Sequence, residues 1–251
     1  MSTGSNDAAM KELAPTGKLR VGIAVGPSAS ALWTVRDAAT GRPKGVPIEL
    51  GTAMAKKLGV PVELVEHASS GEIVAARDKG AWDVTFLPVD DERRKVLDIG
   101  APYHLLQSTY LVARGSTIKT LTDANRAGVR IAGVDGTATW RAALKATPNA
   151  TPVTFKAPDE AVEQMRAGKI DAIALSRESV GGLVAALPGS RVLEEAFLNS
   201  TTAVAVPKGN AAALAYVTAF IEEAKASGLV RLALDGMGLK SSQVAPAGMK
   251  A

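Results

Sequence analysis

The chain has 251 residues, 47% of them hydrophobic and 22% charged, which is enough apolar material for one sizeable core or two modest ones and excludes disorder as the main state. Its formal net charge at pH 7 is +4, but the basic residues are scattered and the densest basic run, at 93–95, directly follows acidic residues, so a nucleic-acid footprint is not supported. The absence of cysteine excludes thiol nucleophiles, disulfides and cysteine metal sites.

Residues 1–16 are polar and contain no apolar stretch like the core of a signal peptide. We expect them to be a disordered or artificially added tail. Elsewhere the apolar runs are interrupted before the ~20 residues that a membrane span requires, so no membrane span is expected.

From Lys18 onward, short β-branched runs alternate with stretches of helical period, which indicates βαβ units around a mostly parallel sheet and therefore the α/β class. The first unit has predicted strands at 19–25, 60–65 and 82–87. Its predicted helices cover 45–58 and 71–79.

The βα pattern restarts after residue 112 and forms a second unit. Strands are predicted at 129–134, around Val153 and at 170–175, with helices beginning near Thr139 and Pro158. An extended segment at 201–206 and a long amphipathic helix then follow.

Several short motifs occur in a characteristic order. They are Lys-Leu-Arg-Val-Gly at 18–22, Ala-Trp-Asp-Val at 81–84, Glu-Arg-Arg-Lys-Val-Leu-Asp at 92–98, Gly-Val-Asp-Gly-Thr at 133–137 and Ala-Gly-Lys-Ile-Asp-Ala at 167–172. Together they resemble the type II periplasmic solute-binding proteins, specifically the polar amino-acid-binding family of ABC transporters, and the likeness runs from about Lys18 to Leu239.

The resemblance implies a two-lobed fold, in which each lobe is a mostly parallel sheet flanked by helices and two hinge strands join the lobes. We therefore expect lobe one at 17–110 plus 205–240, lobe two at 111–204, and a C-terminal tail at 241–251. Ligand binding in such a protein is closure of the cleft between the lobes around the solute.

Arg93 is the first ligand-binding candidate. Asp90 can cap a helix whose third position projects at the edge of the sheet where open α/β sheets bind ligands. A guanidinium fork matches a carboxylate bidentately, and the resemblance implies this contact. The alternative is a surface arginine paired with Glu92 or Asp98.

In lobe two, Asp135 and the residues Thr137, Ala138 and Thr139 come just before or at the start of a helix. Free N–H groups and hydroxyls there would suit a carboxylate, and they are expected to face the cleft. Ordinary N-capping by Thr137 or Thr139 is equally common, and both roles can coexist.

Two departures from the amino-acid-binding pattern stand out. The third strand ends at Leu87, another ligand-binding candidate, and is followed by Pro88, where relatives often have a Ser or Thr that helps to hold the carboxylate; proline offers neither a hydroxyl nor an N–H group. Where relatives often have an acid for the ligand's α-ammonium group, this chain has Ser176 and Arg177.

A cation at Arg177 would repel an ammonium group and favour a deaminated or doubly anionic solute. The alternative is a solvent-facing Arg177 paired with Glu178. Asp135, Asp90 or Glu49 could still supply the acid.

Trp33 follows the first strand, where relatives place an aromatic ring that stacks on the ligand, although a lone Trp is more often a packing residue. Ser69 is expected in a loop facing the cleft, with N-capping as the simpler role.

The predicted function is capture of a small carboxylate solute by the monomeric, periplasmic or extracytoplasmic component of an ABC importer. The predicted partners are that solute and a membrane ABC permease, and neither a cofactor nor a metal is expected. One rival is an enzyme on the same scaffold resembling cyclohexadienyl or arogenate dehydratase, with Glu178 or His104 as general acid. The other is a ligand-sensing domain.

Overall fold

A computed structural model describes residues 3–25 and 32–251 of the chain. Lobe one begins with the elements α1 (Thr3–Leu13), β1 (Leu19–Ala24), β2 (Val35–Arg36), β3 (Pro43–Lys44), α2 (Val46–Leu58), β4 (Val62–His67), α3 (Ser70–Ala75), a 3-10 turn (Arg77–Lys79), β5 (Val84–Pro88) and α4 (Asp91–Val96). The long strand β6 (Leu97–Val112) then crosses into lobe two.

Lobe two contains α5 (Leu121–Ala124), β7 (Arg130–Val134), α6 (Ala138–Ala146), β8 (Thr151–Phe155), α7 (Pro158–Arg166), β9 (Ala172–Ser176), α8 (Arg177–Leu183) and β10 (Arg191–Val192). The strand β11 (Leu198–Pro207) crosses back. It is followed by α9 (Ala211–Ala226), α10 (Leu229–Gly236) and β12 (Gln243–Val244).

The main sheet has the strand order β4-β1-β5-β11-β6-β9-β7-β8. In lobe one, β1 pairs in parallel with β4 and β5, and in lobe two β7 pairs in parallel with β8 and β9. The crossing strands β6 and β11 are antiparallel to each other and to their neighbours β9 and β5. The α/β class and the two-lobed arrangement are thus confirmed.

Each lobe buries its own apolar residues. The lobe-one core joins β1 and α2 to α9, whose Val217 and Ile221 are fully buried. Along β6, Leu106 packs in this core, whereas Tyr110 and Leu111 pack in the two apolar clusters of lobe two. Strand β6 therefore passes from the lobe-one core to the lobe-two clusters close to the predicted boundary at 110. The exact limits of the lobes stay predictions.

Both chain ends differ from expectation. The expected tail at 1–16 contains α1, whose Ala9 and Leu13 are 1% and 0% exposed in the lobe-one core. Glu12 also accepts a hydrogen bond from the Ala213 amide at 2.7 Å, which attaches α1 to α9. Since these contacts bury apolar area, the helix α1 packs as part of lobe one, in contrast to the expected disordered tail.

The expected C-terminal tail at 241–251 contributes β12, which pairs antiparallel with β6 at Leu105 and His104. Ala245 next to it is buried. The C-terminal segment thus packs against one of the crossing strands. In the described part of the chain, no helix has the length and apolar character needed to cross a membrane.

The two lobes carry matching ion pairs at the start of their first strands. In lobe one, Arg20 donates through Nε to Asp83 at 3.0 Å, and its amide also donates to that carboxylate at 2.9 Å. In lobe two, Arg130 donates through Nε to Asp171 at 3.0 Å and through its amide at 2.8 Å. Each pair ties a strand start to a neighbouring strand within one lobe.

Candidate functional site

A cavity of about 80 Å³ lies between the lobes at the carboxyl ends of the parallel strands. Its walls combine small apolar side chains with hydroxyl groups, and no charged side chain of the described residues lines it. The lining residues are Ala24, Val25, Trp33, Ala68, Ser69, Ser70 and Pro88 from lobe one and Val134, Thr137, Thr139, Pro158, Ala174, Leu175, Ser176 and Ser179 from lobe two.

Arg93 lies directly behind this wall. Arg93 is 1% exposed. Its Nη1 donates to the Pro88 carbonyl at 2.7 Å, and its Nη2 donates to Ser70 Oγ at 2.8 Å. The Asp90 side chain caps α4 by accepting from the Arg93 amide at 3.0 Å. The predicted capped helix therefore exists, and it presents the guanidinium group to the edge of the cavity.

The Arg93 guanidinium is a buried cation without a bonded acid. Among the described residues, no carboxylate lies within ion-pair distance of it, and its Nε has no hydrogen-bond partner. Burial, with a smaller contribution from the neighbouring Arg141, lowers the pKa of Arg93 to about 9, so the group stays charged at neutral pH. An anion entering the cavity would find an unneutralised guanidinium behind Ser70 and Pro88.

The cavity hydroxyls are held by helix starts. Ser69 caps α3 and accepts from the Glu72 amide, Thr137 caps α6 and accepts from the Trp140 amide, and Ser176 caps α8 and accepts from the Ser179 amide. These residues thus have the simpler capping roles and still line the cavity. Thr139 does not cap, and its hydroxyl lies 3.3 Å from that of Ser108.

Seven candidates from the sequence come together here. The residues that line the cavity are Trp33, Ser69, Pro88, Thr137, Thr139 and Ser176, with Arg93 behind them. Their contacts to a solute stay predictions. Trp33 also packs partly against the lobe-one core, so the packing role proposed for it coexists with its position in the wall.

Three other candidates lie outside the cavity lining. Leu87 is fully buried in an apolar cluster with Ile73 and Trp82, because alternation along β5 turns it to the face opposite Pro88. Ala138 is buried at the start of α6. Asp135 is exposed, and its carboxylate accepts from the Gly136 amide at 2.9 Å.

Arg177 requires the largest correction. Its Nε donates to Gln107 Oε1 at 3.1 Å and its Nη2 to the Glu194 carbonyl at 2.9 Å. It lines a different cavity of about 760 Å³ that also involves the C-terminal segment. Ser176 ends β9 facing the cleft, and the next residue turns away, so Arg177 does not line the first cavity and forms no ion pair with Glu178 in this structure. Its contact with a solute stays a prediction.

The sequence-based prediction missed several lining residues. Ser179 is buried, and Ser176 Oγ donates to its hydroxyl at 2.9 Å. The signal for it was the Ser-x-x-Ser spacing of a capped helix start. Ala24, Val134 and Ala174 belong to the ends of parallel strands, a position that could have indicated them.

The acids proposed to receive an ammonium group do not line the cavity. Asp90 accepts from Arg141 Nε at 2.6 Å, while Glu49 and Asp135 are exposed. The segment 26–31, which lies outside the described residues, contains no Asp or Glu in its sequence. The cavity thus has hydroxyl and apolar walls beside a cation, with no described acid in its lining.

The lobes touch each other across the cleft. Asp90 of lobe one and Arg141 of lobe two form an ion pair, and Arg141 Nη1 donates to the Gly136 carbonyl at 3.0 Å. Arg93 Nη2 lies 3.4 Å from the same carbonyl. This structure therefore represents a closed arrangement.

The general-acid candidates of the dehydratase alternative are elsewhere. His104 is fully buried on β6, and its Nε2 lies 3.0 Å from Glu178 Oε1. Glu178 also accepts from Ser242 Oγ at 3.1 Å and lines the larger cavity. Neither side chain lines the cavity between the lobes.

Comparison with known proteins gives a consistent result. The chain is 29% identical over 197 residues to the L-cystine-binding protein TcyJ of Escherichia coli strain K12, which covers 76% of this chain and 73% of that protein. It is 25% identical over 201 residues to a glutamine-binding protein of Geobacillus stearothermophilus, covering 78% and 74%.

Among solved structures, it is similar to an ancestral amino acid-binding protein, AncCDT-1, a precursor of cyclohexadienyl dehydratase. The TM-score is 0.78 at 28% identity, covering 91% of this chain and 98% of that one. The family model of the bacterial extracellular solute-binding proteins, family 3, matches residues 23–234, the greater part of the chain. The chain belongs to this family of extracellular solute-binding proteins.

Proposed function

We propose that this protein is the solute-binding component of an ABC importer and that it captures a small carboxylate solute without an α-amino group by closing its two lobes. The observation that carries the proposal is the buried, charged guanidinium of Arg93 beside the interlobe cavity, with no ion-pair partner among the described residues. A solute carboxylate would supply the missing negative charge in a bidentate contact.

The contact requires only a small local change. In the closed structure, the Arg93 fork is occupied by the Pro88 carbonyl and the Ser70 hydroxyl, both of which belong to the cavity wall. A carboxylate oxygen can displace the hydroxyl as acceptor, because charge-assisted hydrogen bonds are roughly twice as strong as neutral ones.

The preference against an amino group rests on the lining. A buried ammonium group needs an acid or several acceptors, and no described acid lines this cavity. Arg93 nearby would repel it further. Hydroxyls on both lobes instead suit a 2-hydroxy or 2-oxo group next to the carboxylate.

The importer role is supported by the names of the relatives, which are binding proteins for glutamine and for L-cystine. We therefore place the protein outside the cytoplasm, as a monomer that delivers its solute to a membrane ABC permease. The proposed solute differs from theirs in lacking the ammonium group.

Isothermal titration calorimetry with lactate, pyruvate, propionate, alanine and glutamine tests the proposal. We expect lactate or pyruvate to bind and the two amino acids to bind at least about tenfold more weakly. Tightest binding of alanine or glutamine would overturn the selectivity argument but not the capture of a carboxylate.

Arg93→Gln should abolish the binding of every acid that the wild-type protein binds. Arg94→Gln is the matched control, because Arg94 is its neighbour on α4 and its side chain is 43% exposed. Equal loss in both variants, or retained binding in Arg93→Gln, would remove Arg93 from the site.

A dehydratase remains the second candidate because of the likeness to a dehydratase precursor. It is less supported, since His104 and Glu178 do not line the interlobe cavity. Turnover of prephenate or arogenate by the purified protein would favour it over solute capture.

A further inference from the structure

Among the described residues, Asp90 and Arg141 form a salt bridge that joins the start of α4 in lobe one to α6 in lobe two. Arg141 Nε lies 2.6 Å from Asp90 Oδ2, and the side chains of Arg141 and Asp90 are 29% and 22% exposed. Each partner is held on its own helix, since Asp90 caps α4 and Arg141 donates to Gly136 just before α6. The pair can form only when the lobes meet.

Closing the cleft also places two cations together. Arg93 and Arg141 both direct a guanidinium nitrogen at the Gly136 carbonyl, at 3.4 and 3.0 Å. Burial of Arg93, and secondarily the charge of Arg141, lower the pKa of Arg93, whereas Asp90 acts in the opposite direction. One carboxylate, that of Asp90, therefore lies near two guanidinium groups. Asp135 is also nearby, but it is exposed, so its charge is screened by water.

This charge balance has a direct consequence for closure. Two guanidinium groups and one carboxylate leave one excess positive charge in a region largely removed from water, where like-charge repulsion is strong. One negative charge placed on Arg93 would cancel the excess. A neutral solute of the same shape would not.

We propose that Asp90 and Arg141 form a charge-reading latch, which makes closure of the lobes favourable only when the bound solute brings a negative charge to Arg93. The latch makes Arg141 a positioning residue for selectivity, although it does not itself line the solute cavity. This inference rests on the proposed capture of a carboxylate by Arg93, but its central prediction concerns the protein without any solute.

Interlobe distance can be measured by spin labels, because the chain has no cysteine of its own. Lys56→Cys on α2 and Lys145→Cys on α6 place one label on an exposed position of each lobe. Pulsed electron–electron double resonance then measures the distance between the two labels, and the distance distribution gives the ratio of closed to open molecules.

Without solute, Arg93→Gln removes one of the two repelling charges and should raise the closed-to-open ratio by about tenfold. Asp90→Asn should lower that ratio most, because it removes the ion pair and leaves the two cations facing each other. Arg141→Gln should lower it less, because it removes the ion pair and the repulsion from Arg93 together, and the double variant should match Arg141→Gln. Asn can still cap α4, so Asp90→Asn retains the helix start, and Arg141→Gln checks the result without touching a cap.

Matched controls lie on the same helix α4. Arg94→Gln and Asp91→Asn remove the same charges from exposed side chains and should leave the distances unchanged. With lactate or pyruvate, whichever binds in calorimetry, both latch variants should lose about tenfold in affinity. Lactamide, the neutral counterpart of lactate, should not close the wild-type protein.

Two results would overturn the latch. One is an unchanged or lower closed-to-open ratio in Arg93→Gln without solute, and the other is unchanged ratios in both Asp90→Asn and Arg141→Gln. If none of the tested acids binds but these three variants shift as expected, the latch stands and the proposed solute class fails. If a carboxylate binds and the three variants do not shift, the latch fails and the proposed solute class stands.

Discussion

Gly71 of lobe one and Asp135 of lobe two approach each other so closely that a Cβ placed on Gly71 would lie 2.5 Å from the Asp135 carbonyl oxygen. The same Cβ would lie 3.0 Å from Gly136. Gly71 is on α3, next to Ser70, which contacts Arg93. A side chain at this position is therefore incompatible with the closed arrangement, and the three nearest atoms that it would meet all belong to lobe two.

Gly71→Ala should weaken carboxylate binding by about tenfold or more without destabilising the protein, because Ala is the better helix former by about 1 kcal/mol. Calorimetry and thermal unfolding without solute measure the two effects. Gly182→Ala on α8 is the control, since its Cβ would meet no atom within 4 Å. Unchanged affinity in Gly71→Ala would show that solute binding does not require this closed arrangement.

Arg177→Ala should leave the affinity for carboxylates and the discrimination against alanine within about threefold of wild type, because Arg177 is held by Gln107 and Glu194 away from the cavity. The measurement is calorimetry with the same acids. A gain of alanine binding would instead restore Arg177 as the selectivity residue.

Glu178→Ala should lower the free energy of unfolding by about 2–3 kcal/mol, since it removes the carboxylate that lies 3.0 Å from the buried His104 ring and accepts from the Ser242 hydroxyl. Denaturant unfolding measures the change. Glu160→Ala on α7 is the control because its side chain is exposed. Equal effects in the two variants would mean that the contact between β6, α8 and the C-terminal segment adds nothing to stability.

Asp171→Asn should destabilise the protein at neutral pH by about 1–2 kcal/mol, and the difference from wild type should shrink below about pH 4. Hydrogen bonds from Arg130 hold the pKa of Asp171 below its ordinary value. The carboxylate therefore stabilises the fold above its unfolded-state pKa, and this contribution is lost as the pH falls through the lower folded-state pKa.

Urea unfolding of both proteins between about pH 3 and 7 gives the comparison, since this range spans the ordinary pKa of an aspartate. A constant difference for Asp171→Asn across the whole range would contradict the assigned charge effect.

The arrangement of the sheet could be predicted because its inner parallel strands β1, β5, β7 and β9 are largely buried on both faces and form short apolar runs between helical stretches. The N-terminal helix α1 could not, since Ala9 and Leu13 are the buried residues among its described side chains and its packing surface is α9, which lies near the other end of the chain. The strand β12 was missed for a similar reason: its partner is the distant strand β6.

At the site, the helix that carries Arg93 could be predicted from the capping residue Asp90, whereas the choice of Arg93 as a ligand residue came from the family resemblance. The position of Arg177 outside the lining of the interlobe cavity has a local cause, because the turn from β9 into α8 reverses side-chain direction within one residue. No sequence pattern indicated a role for Arg141, since its ion pair with Asp90 forms only when the two lobes meet. Contacts made between lobes depend on hinge geometry, which no short sequence pattern specifies.

The placement of the tryptophans gives this protein a built-in optical reporter. Trp82 and Trp140 are 1% and 4% exposed within the lobe cores, while Trp33 is half-buried in the cavity wall. A solute entering the cavity would change the polarity around a single indole, so the emission spectrum of the unlabelled protein should shift on capture. With Trp33 replaced by Phe, the two remaining indoles lie in the lobe cores, and the emission spectrum should not shift when solute is added.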